Sequence, residues 1–103
     1  MYSMKKTELI DKKSLDANYK ELCKILYNMK DEKSLQEFLD CLFTPSERKD
    51  FALRWILVKE LHSGTTQRDI VKKLNMSLCK ITRGARELNK ADSAFKKILE
   101  SKK

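Results

Sequence analysis

Apolar side chains recur along this chain at steps of three and four, the repeat that gathers them on one face of a helix. Leu15, Tyr19, Leu22, Cys23, Leu26 and Met29 predict a first helix. Residues 31–33 break the pattern, and Ser34 reads as the N-cap of a second helix whose apolar face is Leu35, Phe38, Leu39 and Leu42. Strict apolar/polar alternation never persists, and only two glycines and one proline punctuate the sequence. An all-α fold is therefore expected.

The clearest helix start is Thr44-Pro45-Ser46-Glu47: a capping hydroxyl, a proline preset for the first turn, and a glutamate able to return the hydrogen bond. This third helix should run to about His62, closed by Gly64 in a left-handed conformation. Residues 51–58 are apolar almost all round, whereas a helix on the surface of a small monomer needs a polar face. Burial on several sides predicts an interlocked homodimer; the central helix of a monomeric bundle is the alternative. Trp55 reads as core packing.

Beyond Gly64 the pattern becomes a helix-turn-helix at residues 65–89. Thr65 or Thr66 can cap a short helix from Gln67 to Leu74, with Asp69 completing a second capping box. Asn75 tolerates positive φ, and Ser77 can cap a helix from Leu78 to about Asn89. So short a connection forces the two helices to cross steeply. Ile70, Leu74, Met76 and Ile81 then share a small core, while Arg68, Lys72, Lys73, Lys80 and Thr82 face outward. Such a unit suits double-stranded DNA, because the second helix fits the major groove by width. Leu78, Cys79 and Lys80 would reach base edges, whereas Thr82 and the basic side chains suit phosphate.

Charge strengthens that picture. Twenty-three Lys and Arg face fifteen Asp and Glu, a net of +8, and residues 64–90 alone carry +5 of it. A polyanionic partner is the natural inference, with a solvated basic surface as the bland alternative.

At 103 residues there is room for one domain, taken as residues 14–103 behind a flexible arm, residues 1–13. That arm holds no sustained apolar run, so neither a signal peptide nor a membrane span is expected. Three scattered cysteines, Cys23, Cys41 and Cys79, make a poor disulfide framework and fit a reducing cytoplasm.

Three stretches together, Phe43-Thr-Pro-Ser-Glu-Arg48, Thr66-Gln-Arg68 and Ile81-Thr-Arg-Gly-Ala-Arg-Glu-Leu88, resemble the tryptophan repressor family, over roughly residues 38–90. The resemblance implies six helices, an intertwined dimer, and L-tryptophan as corepressor of a bacterial repressor of tryptophan metabolism genes. It also implies that Arg54 and Arg83 sandwich the indole, that Arg83 pairs with the carboxylate, and that Thr44 offers it a hydroxyl. Gly84 would let the ring approach, and backbone carbonyls at Cys41 and Phe43 would receive the ammonium. A planar guanidinium suits both stacking and a carboxylate fork. In the alternative, Arg54 pairs with Asp50 and Arg83 touches phosphate. Two positions depart from the family. Glu87 stands where serine is typical near the ligand, so its carboxylate would attract the ammonium or repel the carboxylate. Leu78, Cys79 and Lys80 differ from the family's reading residues, so its operator sequence is not implied here.

Other function classes have less support. His62, the only histidine, sits with Ser63 at a helix end, and no paired carboxylates, nucleophile-base spacing or metal-ligand cluster stands out. No catalytic residue, metal or cofactor is assigned. A ligand-independent DNA-binding regulator, a small helical enzyme of aromatic metabolism resembling chorismate mutase, and an adaptor for an acidic protein remain as alternatives.

Overall fold

A computed structural model describes residues 9–101. They form six helices and, among the described residues, no strand: α1 (Lys12–Asn28), α2 (Glu32–Leu42), α3 (Pro45–His62), α4 (Gln67–Leu74), α5 (Leu78–Leu88) and α6 (Ala94–Ser101). The span expected as one domain divides into two compact units, one ending at Leu42 and one beginning at Phe43.

In the first unit, α1 begins where Asp11 Oδ1 accepts the Ser14 N–H at 2.8 Å. Lys12 and Lys13, expected as arm, are thus the first residues of a capped helix; residues 1–8 of the expected arm lie outside the described residues. The α2 cap also differs from expectation. Asp31, not Ser34, takes the position: its Oδ1 accepts the Ser34 N–H at 2.7 Å and its Oδ2 the Ser34 hydroxyl at 2.9 Å. An ionised carboxylate offers more acceptor sites than a hydroxyl, and the positive end of the helix dipole favours it. Those same bonds, the Ser34 N–H first, hold the Asp31 carboxyl below its ordinary range. Neither α1 nor α2 buries a residue, and Leu15 and Tyr19 on the apolar stripe of α1 stand 59% and 69% exposed.

The second unit has a core. Its α3 opens with a complete capping box: Thr44 Oγ1 accepts the Glu47 N–H at 3.1 Å, and Glu47 Oε1 accepts the Thr44 N–H at 2.9 Å. Gly64, at φ +95°, ends it. Thr66 caps α4 by accepting the Asp69 N–H at 3.2 Å, but the return bond of a capping box is not among the bonds that the described residues make. Aspartate is one methylene shorter than the glutamate that reaches back at Thr44. Asn75 takes the left-handed conformation (φ 51°, ψ 49°), and Ser77 then caps α5.

Ile70 of α4 and Ile81 of α5 are fully buried against Leu57 of α3, with Leu61, Val71, Leu74 and Met76 packed around them. Each such side chain contributes roughly 1.5 to 3 kcal/mol, so α4 and α5 are held to α3 mainly by this cluster. Within residues 51–58, Leu57 and Val58 are buried, Trp55 is half-buried and Phe51 is 55% exposed. The helix α6 starts at buried Ser93, whose Oγ accepts the Lys96 N–H at 3.3 Å. Among the described residues, no helix is long and apolar enough to cross a membrane.

Candidate ligand cavity and nucleic-acid interface

Residues three and four apart share a helix face, and two such sets confront each other in the second unit. Arg54, Leu57 and Val58 come from α3; Lys80, Arg83 and Gly84 come from α5. Met76 from the turn and Phe95 from α6 complete the wall of a cavity of about 320 Å³, within the range of small-molecule sites. Its floor is apolar, and its charged lining is wholly cationic: two guanidinium groups and an ammonium.

Gly84 has two roles here. A Cβ atom on it would stand 3.0 Å from Leu57 Cδ2 and 3.5 Å from Leu61 Cδ1. A side chain at this position would have to displace the end of Leu57 by a few tenths of an ångström, so Gly84 lets α5 seat closely on α3, besides bordering the cavity. Two further hollows adjoin Arg54. One of about 330 Å³ runs beneath the turn and shares Arg54, Met76 and Lys80 with the first. One of about 170 Å³ is lined by Phe43, Glu47, Asp50, Phe51 and Arg54, beside the stacked Phe43 and Phe51 rings, 5.3 Å apart. Asp50 borders both of these, yet the described residues show no ion pair between Asp50 and Arg54.

Arg54, Arg83 and Gly84 thus line one cavity, and of the other expected ligand residues in the second unit, Phe43, Thr44 and Glu87 are not on its wall. The Thr44 hydroxyl accepts the helix-capping bond, and the Phe43 carbonyl accepts Arg48 Nη1 at 2.8 Å. Glu87 is not on the cavity wall; its carboxylate pairs with Lys90 at 3.0 Å. Cys41 lies near the end of α2, in the first unit. Sequence reasoning missed Leu57, Val58, Met76 and Phe95 as lining, and put Lys80 on the outward face alone. The i, i+3, i+4 spacing of Lys80 with Arg83 and Gly84 was the signal that could have found it.

The expected reading surface is exposed. Leu78 (57%), Cys79 and Lys80 form the first turn of α5, with Thr82 beyond them, and Arg68, Lys72 and Lys73 lie on α4. Thr82 Oγ1 donates to Gln67 Oε1 at 3.5 Å, a long bond between the two helices. Lys73 is partly committed within the chain: its Nζ lies 2.8 Å from Glu60 Oε2, while Glu60 Oε1 accepts the Thr65 hydroxyl at 2.7 Å. The Lys73 ammonium first, then the Thr65 hydroxyl, hold the Glu60 carboxyl below its usual range. This network ties the end of α3 to the linker and to the last turn of α4.

The family described as Trp repressor protein matches residues 17–103. A Trp operon repressor homolog of Chlamydia trachomatis serovar D is 40% identical over 73 residues, 70% of this chain and 78% of the relative. One from Xylella fastidiosa strain M23 is 33% identical over 90 residues, covering 86% of this chain and 96% of its own. Another from Chlamydia caviae is 32% identical over 85 residues, 82% of this chain and 81% of its own. No solved structure matches. With a family match that spans most of the chain, and relatives above 30% identity over most of their own length, the chain belongs to the Trp repressor family.

Proposed function

We propose that this protein is a transcriptional repressor, not an enzyme, that acts as a homodimer in the cytoplasm. It binds operator DNA through α4 and α5 when L-tryptophan fills the cavity between α3 and α5, and so controls genes of tryptophan metabolism. The observation that carries this reading is that Arg54 and Arg83 line one largely apolar cavity from different helices, with Arg83 on the same helix as exposed Leu78, Cys79 and Lys80. Flat guanidinium groups stack on an indole, and Arg83 can fork onto a carboxylate. A ligand so held links α5 to α3 and fixes the angle at which α5 meets the groove. Its effect on DNA affinity equals its preference for that angle, with couplings typically about 1 to 3 kcal/mol.

Thr44 lies ten residues before Arg54, and at 1.5 Å per residue the intervening helix is about 15 Å long. A single tryptophan spanning Arg83 to the same chain's Thr44 is therefore unfavourable. We assign Thr44 and the Cys41 and Phe43 carbonyls to the ligand as contributions from a second copy, which suits a dimer. The exposed apolar side chains of α1 and of Phe51 support that assembly.

The test titrates duplexes, selected from a random library by the purified protein with tryptophan present, at fixed salt with and without L-tryptophan. Affinity should rise with ligand. Arg54→Lys, which keeps charge but loses the stacking plane, should retain ligand-free affinity and lose most of the gain. If tryptophan leaves the parent's affinity unchanged, the ligand-independent regulator takes its place.

A further inference from the structure

We infer that Lys80 is a ligand-contacting residue, its ammonium pairing with the carboxylate of the aromatic ligand beside Arg83, so that one side chain belongs both to the cavity and to the reading turn. This inference rests on the proposed ligand reading and adds to it a residue that the motif comparison does not supply.

Three observations support it. Lys80 lines the 320 Å³ cavity, one helical turn before Arg83 and Gly84 on the same face of α5. It also lines the hollow beneath the turn, sharing with Arg54 and Met76 a place on both walls. Long lysine stems cover apolar surface while the charged head stays in water. Finally, no acidic side chain lines this cavity: Asp50 borders the adjoining hollow that shares Arg54 and Lys80 but pairs with neither among the described residues, and Glu87 on α5 is paired with Lys90. Arg54, Lys80 and Arg83 are exposed, so water screens their mutual repulsion, and what remains of it favours an entering anion. A carboxylate between Lys80 and Arg83 relieves that repulsion, and the ring is left over Leu57 and Val58.

Because Lys80 is also in the first turn of α5, ligand entry and groove contact act on one ammonium. The carboxylate then restrains the lysine where it meets DNA, a more direct coupling than a change of helix angle alone.

Calorimetry with L-tryptophan and L-tryptophanamide, without DNA, tests this on four proteins: the parent, Lys80→Met, Lys80→Arg, and Lys97→Met, an exposed lysine on α6 away from the cavity. Circular dichroism verifies that each is folded. Lys80→Met should bind tryptophan about fivefold more weakly, the upper range for a solvent-exposed ion pair. Its affinity for the amide should stay at the parent value. Lys80→Arg should restore tryptophan binding to within about twofold, and Lys97→Met should match the parent. Equal binding of tryptophan by Lys80→Met and parent overturns the inference and leaves the ligand reading standing. Equal weakening for acid and amide overturns it too, since the lysine would then act through its shape. If the parent binds no tryptophan, the ligand reading itself fails and the inference falls with it.

Discussion

Gly84 of α5 and Leu57 of α3 are so closely apposed that a Cβ on the glycine would lie 3.0 Å from Leu57 Cδ2. Leu57 is 3% exposed and also lies on the cavity wall, so any side chain at position 84 acts on the core and on the cavity together. Alanine in place of glycine within a helix gains about 1 kcal/mol from propensity. Overpacking a well-filled site costs about 1 to 3 kcal/mol. For Gly84→Ala we expect a net loss of about 1 kcal/mol in denaturant titration. Displaced Leu57 should also narrow the cavity, so tryptophan affinity measured by calorimetry should fall about tenfold. A variant with parental stability and parental ligand affinity would show that the contact is slack.

Lys72 and Lys73 are neighbours in sequence but differ in what they have left to offer. Lys73 already neutralises Glu60, whereas Lys72 has no such partner among the described residues. A lysine that contacts phosphate contributes about 0.9 to the slope of log affinity against log salt. Lys72→Ala should reduce that slope by about 1, while Lys73→Ala should weaken DNA binding with little change in slope, by loosening α4 from the end of α3. Equal slope changes for the two variants would mean that Lys73 leaves Glu60 for the DNA.

Acid should open the same network. Hydrogen bonds from Lys73 and Thr65 hold the Glu60 carboxyl below its ordinary value. With the folded value lowered, the stabilisation is fully present above the normal glutamate range, near pH 4.3. It is lost as pH falls through that range towards the lowered value. Glu60→Gln keeps the shape without the charge. The variant should melt below the parent at neutral pH, and the gap should close as pH falls below about 4. A gap that stays constant between pH 7 and pH 3 would rule out the ion pair as its source.

Local chemistry explains what could be read in advance. Thr44, Glu47, Asn75 and Ser77 each act through neighbours within four residues, and all four adopt the expected roles. The core of Ile70, Leu74, Met76 and Ile81 follows from helical period and was likewise legible. Competition between acceptors was harder to judge: Asp31 outranks Ser34 because a carboxylate meets the helix dipole better, and Asp69 is too short to complete a capping box. The helix α6 came only with the family resemblance, although Ser93 followed by Phe95, Ile98 and Leu99 holds a cap and an apolar stripe. Least legible were relations across helices. Phe95 reaches the cavity from α6, which does not follow from spacing within one element, whereas the Glu87–Lys90 pair at i, i+3 was open to such spacing and was not drawn from it.

The last prediction concerns the surface that one chain leaves uncovered. Leu15 and Tyr19 lie one turn apart on α1, 59% and 69% exposed, and Phe51 on α3 is 55% exposed. Substitution of exposed residues in a monomer usually changes stability by no more than about 0.5 kcal/mol. If a second copy covers α1, burial of each apolar side chain contributes roughly 1.5 to 3 kcal/mol, and an aspartate there must be desolvated without a partner. Leu15→Asp with Tyr19→Asp should therefore halve the mass found by sedimentation at micromolar concentration. It should also lower the melting temperature well beyond a surface effect. The parent's melting temperature should rise with protein concentration, because association stabilises by mass action. A parent that sediments as a single folded chain, with a melting temperature independent of concentration, would defeat the dimer, and with it the assignment of Thr44 to a ligand held by the other copy.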